Sequence, residues 1–138
     1  MHPKSSIFGL TACLCVLIYF VGCSVAITRN KVIGDYKVRY RYGTELLRLS
    51  ADGKYSEVFV LDSTKAETRN TGTWEYKGGG EPQIILHNPL IVDDDFGKLS
   101  PTYSEPGRGI WILHPHSFLG KISLPVNEDL GLYFEKQT

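Results

Sequence analysis

The residues in this chain that most invite metal chemistry are His114-Pro115-His116. Side chains two residues apart on a strand share a face, so two imidazoles there can reach one ion. His87, or the run Asp93, Asp94 and Asp95, would complete the ligand set. Pro115 interrupts a strand at that point, however, and histidines around a proline more commonly sit exposed in a turn. The expectation is no metal, with His114 and His116 the residues to watch. The aspartate run offers oxygen ligands for calcium but lacks EF-hand spacing, and acidic triplets before Phe-Gly commonly form solvated turns. Gly78-Gly79-Gly80 lacks the Lys-Ser/Thr ending and following helix of a phosphate loop and reads as a hairpin connection. No Gly-x-Ser-x-Gly is present. Glu57 and Glu75 would suit acid–base work if they met, but sequence does not reveal their separation. No catalytic residue is assigned, no cofactor is implied, and the chain is read as a non-enzyme.

Cysteine chemistry is confined to the N-terminus. All three cysteines, Cys13, Cys15 and Cys23, lie in the first 23 residues. Met1 to Ser6 carries one cation, Lys4, and Ile7 to Gly22 is a 16-residue run that is almost continuously apolar. That length is short for a bilayer span but suits the apolar region of a signal peptide. Cutting the leader before Cys23 would leave a single thiol at the mature N-terminus, which asks for an explanation in an exported protein. Phe20-Val21-Gly22-Cys23 resembles a bacterial lipobox, with Phe20 where Leu is usual. The resemblance implies cleavage between Gly22 and Cys23, a diacylglycerol on the Cys23 sulfur and an anchor of two or three acyl chains. Ser24 after the cysteine implies an outer-membrane destination where the cell has one. The alternatives are a secretory cut after Ser24-Val25-Ala26 or an uncleaved signal anchor. The expected division is signal peptide 1–22, lipidated cysteine and tether 23–31, and folded domain 32–138.

The elements that must position everything else read as strands. Tyr36, Val38, Tyr40 and Tyr42 alternate with Lys37, Arg39 and Arg41, the period of a half-buried strand with a solvated cationic face. Glu45–Ser50 and Lys54–Leu61 flank Ala51-Asp52-Gly53, a strong hairpin signal because glycine accepts the positive φ of the turn. Residues 62–71 are polar and read as a loop or frayed hairpin end. Trp74 and Tyr76 share a face, and Gln83–His87 begins again after the glycines and Pro82. Residues 98–109 are rich in Pro and Gly, Ile110–His114 reads as a short buried run, and Lys121–Asn127 alternates. Pro125 suggests an edge or a bulge. No helical period extends over ten residues after Gly22. The sum is an all-β, antiparallel barrel or sandwich of seven to nine strands.

Gly34-x-Tyr36, Leu47-x-Leu49 with Asp52-Gly53-x-Tyr55, and Gly72-x-Trp74 together resemble small bacterial lipocalin-like lipoproteins. The likeness spans about residues 34 to 76 and implies a strand meander closing a barrel or half-barrel.

Fifteen basic and fifteen acidic residues cancel among 138, so no strong field favours nucleic acid as a partner. The aromatic set (Tyr36, Tyr40, Trp74, Tyr76 and Trp111, with Tyr55 and Tyr133) either fills the core or lines a barrel mouth for a small apolar ligand. Three functions follow. The first is a membrane-anchored envelope lipoprotein binding an apolar ligand or an envelope protein. The second is an inhibitor or immunity-type partner, and the third a metal-dependent hydrolase. An aromatic-lined pocket favours the ligand, convergent His and Asp the hydrolase, and a solid core with an exposed apolar patch the protein partner.

Overall fold

The computed structural model describes residues 26–93, 102–103 and 109–138. The leader, Cys23, Asp94, Asp95 and most of 98–109 lie outside the described residues. A four-residue helical turn, α1 (Arg29–Val32), precedes eleven strands: β1 (Gly34–Arg39), β2 (Gly43–Leu49), β3 (Lys54–Leu61), β4 (Glu67–Lys77), β5 (Gln83–His87), β6 (Val92–Asp93), β7 (Thr102–Tyr103), β8 (Ile110–Leu113), β9 (His116–Phe118), β10 (Lys121–Asn127) and β11 (Leu132–Lys136). No helix among the described residues is long and apolar enough to cross a membrane.

Among the described residues nine strands form one antiparallel sheet in the order β8-β5-β4-β3-β2-β1-β11-β10-β9, and β6 pairs with β7 in a second, two-stranded one. This bears out the all-β expectation. The sheet curls into a half-barrel, bringing Trp111 of β8 to 6.1 Å from the Phe134 ring of β11. Its two edge strands, β8 and β9, are consecutive in the chain and separated only by His114 and Pro115. Antiparallel pairing of β8 with β5 and of β9 with β10 makes β8 and β9 run the same way. They are two halves of one extended path that changes neighbours at Pro115, a residue with no N–H to give to a ladder.

Alternation decides which face is inward. Tyr36 and Val38 of β1, Leu47 and Leu49 of β2, Tyr55 and Phe59 of β3, and Trp74 of β4 are all buried in one cluster with Leu86, Leu90, Leu124 and Phe134. Lys37, Arg39 and Arg48 face out. Asp52-Gly53 turns β2 into β3 with φ +82° at Gly53, and the β2–β3 register runs unbroken from Gly43↔Leu61 to Leu49↔Tyr55. The ladder of β10 and β11 shifts between Pro125 and Asn127, the bulge that the proline suggested.

Two segments differ from the sequence reading. Residues 67–71 belong to β4, paired through Val60↔Glu67 and Glu57↔Asn70. Their backbone completes the ladder against an apolar β3, which polar side chains do not prevent. The run Ile110–Leu113 is buried on one side only: Leu113 is 1% exposed, whereas Ile110 and Ile112 are 55% and 41% exposed. An edge strand of a curled sheet has one inner and one outer face.

One rim of the half-barrel collects the β2–β3 turn, the β4–β5 connection, the β9–β10 turn, the start of β1 and the end of β11. The α1 segment lies across this rim. Val32 is fully buried, and the Tyr36 hydroxyl donates to the Val32 carbonyl at 2.7 Å. Tyr76 donates to the Ile27 carbonyl at 2.7 Å, Lys31 Nζ to that of Ala26 at 2.8 Å, and Arg29 lies 4.9 Å from the Trp74 ring centroid. In the described part of the expected tether, Ile27, Arg29 and Lys31 are thus bonded to the domain.

Candidate functional site

The most unusual chemistry of the described residues lies inside the barrel. Glu45 is in phase with Leu47 and Leu49 on β2, and Glu57 with Tyr55 and Phe59 on β3, so both carboxyls point inward and are 0% exposed. The register places Glu45 opposite Phe59 and Glu57 opposite Leu47, which makes the two glutamates diagonal neighbours. Glu45 Oε2 accepts from the Tyr40 hydroxyl at 2.7 Å. Glu57 Oε2 accepts from the Leu90 backbone N–H at 2.8 Å and from Asn70 Nδ2 at 2.9 Å. Asn70 Nδ2 also donates to the Asn88 carbonyl at 2.8 Å, and the Tyr55 hydroxyl to that of His87 at 2.8 Å. The second oxygen of each glutamate has no partner among the described residues.

Loss of water disfavours the charged carboxylate. Burial pushes the Glu45 carboxyl up to about 8, against the pull of Tyr40 and with help from the neighbouring Glu57. Burial also raises Glu57, opposed by the Leu90 N–H and Asn70. Glu45 is therefore a neutral acid near neutral pH. Glu57 holds the 88–90 segment across the interior through Leu90. Neither side chain is exposed at the surface.

The other residues singled out by sequence are dispersed. Glu75 sits on the outer face, 3.0 Å from His87 Nε2, and so lies on the opposite side of the sheet from Glu57. His87 is level with Ile110, four residues before His114, a separation along β8 on the order of 13 Å. His116 is exposed and has Glu128 as its carboxylate neighbour at 3.8 Å. Among the described residues no three His, Cys, Asp or Glu side chains gather as a metal site.

The five aromatics proposed as ligand lining belong to the core or pack against it. Tyr36, Tyr40 and Trp74 are at most 3% exposed, while Tyr76 and Trp111 are partly buried on the same cluster. The polar ends of Tyr36, Tyr40, Trp74 and Tyr76 are used internally, Trp74 Nε1 donating to the Ser50 carbonyl at 2.9 Å. Surface clefts of about 410, 420 and 540 Å³ lie over the β1–β11, β1–β3 and β2–β4 regions. Of the five aromatics only Tyr36 borders any of them. The first is bounded by Lys37, Arg39, Tyr133 and Glu135.

Sequence reasoning missed Glu45, Asn70 and the β9–β10 turn. The signal for the glutamates was available, since each holds an apolar phase position in its strand. At the turn, Leu119 and Gly120 have φ of +49° and +79°, the pair of positive values that a tight hairpin turn requires. Phe118 and Leu119 stand out from it 76% and 72% exposed.

Comparison with protein-family models, with curated proteins and with solved structures finds no match to this chain.

Proposed function

We propose that the chain is a lipid-anchored envelope lipoprotein, acylated at Cys23, whose β-domain is non-catalytic and engages a protein partner through its outer surface. The observation that supports a protein partner over a small apolar ligand is the filled interior. Aromatic rings and leucines occupy the inside of the sheet, with Tyr36, Leu47, Phe59, Leu86, Leu90, Leu124 and Phe134 at most 1% exposed. Among the described residues such a scaffold offers clefts and apolar side chains on its outside, as an inhibitor or immunity-type protein does. The cleft between Lys37, Arg39, Tyr133 and Glu135 sets an aromatic ring beside an arginine that is paired to Asp62, two residue types enriched at protein interfaces.

The anchor is supported by the leader, by the placement of all cysteines at or before position 23, and by the Val21-Gly22-Cys23 ending. The test is the intact mass of the protein extracted from its own membranes, after a photo-cross-linking residue has replaced Lys37. A chain beginning at Cys23 with added diacylglycerol and a discrete protein adduct is the expected result. A chain beginning at Ile27 without lipid overturns the anchor, and an absence of protein adducts from position 37 overturns the partner surface.

A further inference from the structure

The β9–β10 turn presents two adjacent apolar side chains to solvent, Phe118 and Leu119, the most exposed large apolar side chains among the described residues. A tight turn needs neither of them for its geometry, and β10 buries its own apolar residues, Ile122 and Leu124, on the inner face. The turn stands beside the point where the chain enters the domain. Ile27 and Lys31 share a cleft of about 260 Å³ with Ser117, Gly120 and Ile122. Residues 26 and 27 are held there by Lys31 and Tyr76. Cys23 is three residues before Ala26, and three residues span at most about 11 Å.

From this juxtaposition we infer that Phe118 and Leu119 insert into the bilayer that holds the acylated Cys23, docking the β9–β10 rim on the lipid surface. The inference rests on the anchor reading given above. An acyl anchor so close to Ala26 brings the membrane to this rim, and an apolar tip there meets the acyl boundary rather than water. Exposed cations accompany it: Lys121 follows the turn, and Arg29 and Lys31 lie on α1. Asp35, Asp52 and Glu81 lie on the same rim, and the opposite rim carries charges of both signs, Glu128 and Asp129 on the β10–β11 turn with Arg41 and Lys65 on the β1–β2 and β3–β4 connections. The cations suit anionic headgroups, and the opposite rim is left facing the aqueous side.

The test places an indole at the tip. The full-length chain carrying F118W, and separately L119W, is extracted and reconstituted in vesicles of phosphatidylethanolamine and phosphatidylglycerol with brominated acyl chains. The native chain, with its own Trp74 and Trp111, serves as blank. The expected result is a blue-shifted added emission that the brominated lipids quench, with both weakened when phosphatidylglycerol is omitted. Intact mass on the same sample reports Cys23 separately. Quenching with an unmodified Cys23 upholds the docking tip while refuting the anchor. Unquenched, water-exposed emission from both variants overturns the docking tip, whether Cys23 is acylated or not.

Discussion

Replacing Glu45 by Gln converts a pH-dependent interior into one that no longer titrates there. The unfolded carboxyl has its ordinary value of 4.5 and the folded one is pushed up to about 8 by burial. Between those values the folded state holds a proton that the unfolded state has released, so stability falls as pH rises. The contribution is fully present below about pH 4.5 and is lost as pH climbs through about 8. Linkage at about 1.4 kcal/mol per unit makes the native chain lose about 3 kcal/mol from this group between about pH 5 and pH 8. Gln keeps the acceptor for Tyr40 but puts an amide N–H₂ where the Glu45 oxygen has no partner among the described residues. That costs about 1–2 kcal/mol at every pH. The variant should therefore be less stable than the native protein at about pH 5 and more stable at about pH 8. Urea unfolding across this range measures it, and the native-minus-variant difference cancels the titrating groups that do not interact with Glu45, leaving its coupling to Glu57 in the difference. Parallel stability curves would refute the assignment of Glu45 as a buried neutral acid.

Two further outcomes follow from local geometry. A Cβ on Gly72 would stand 2.5 Å from the His87 carbonyl and 2.6 Å from the Tyr55 ring, so Gly72→Ala should destabilise by about 2–4 kcal/mol. Gly80→Ala meets nothing within 4 Å and should leave the melting temperature close to native, a contrast that thermal unfolding reads directly. Arg39 grips both Asp62 oxygens, at 2.9 and 2.6 Å, and holds that carboxyl below its ordinary value. Arg39→Ala should let the Asp62 pKa rise toward 3.8 in an NMR titration, with little change in stability because the pair is exposed.

The strands were legible because side-chain period and turn chemistry agree along most of the domain. Tyr36, Val38 and Tyr40 announce an inward face, and Asp52-Gly53 a turn. Residues 67–71 were not legible, since a strand held by its neighbour's ladder needs no apolar pattern of its own. The curling of the sheet was equally hidden: β1 meets β11 and β8 meets β5 through pairings that no local signal carries. Glu45 and Glu57 sit in apolar phase, but only burial reveals that their charge is suppressed. The histidines looked promising through adjacency in sequence, and the register then separated His87 from His114.

The pairing of β1 with β11 joins Tyr36 to Lys136, residues 100 apart along the chain. Every pairing from β1 through β5 is between consecutive strands and can form while the chain is still being made. Strand β1 instead keeps one edge open until residues 132–136 emerge, and closing a loop of that length costs about 4 kcal/mol of chain entropy. The β1–β11 pairing thus closes the longest loop in the sheet, the kind of contact that topology makes slow to form. Until it happens, the nascent domain carries an unpaired β1 edge open to association with other chains. Residues 132–136, on pairing with β1, are the ones that end that exposure.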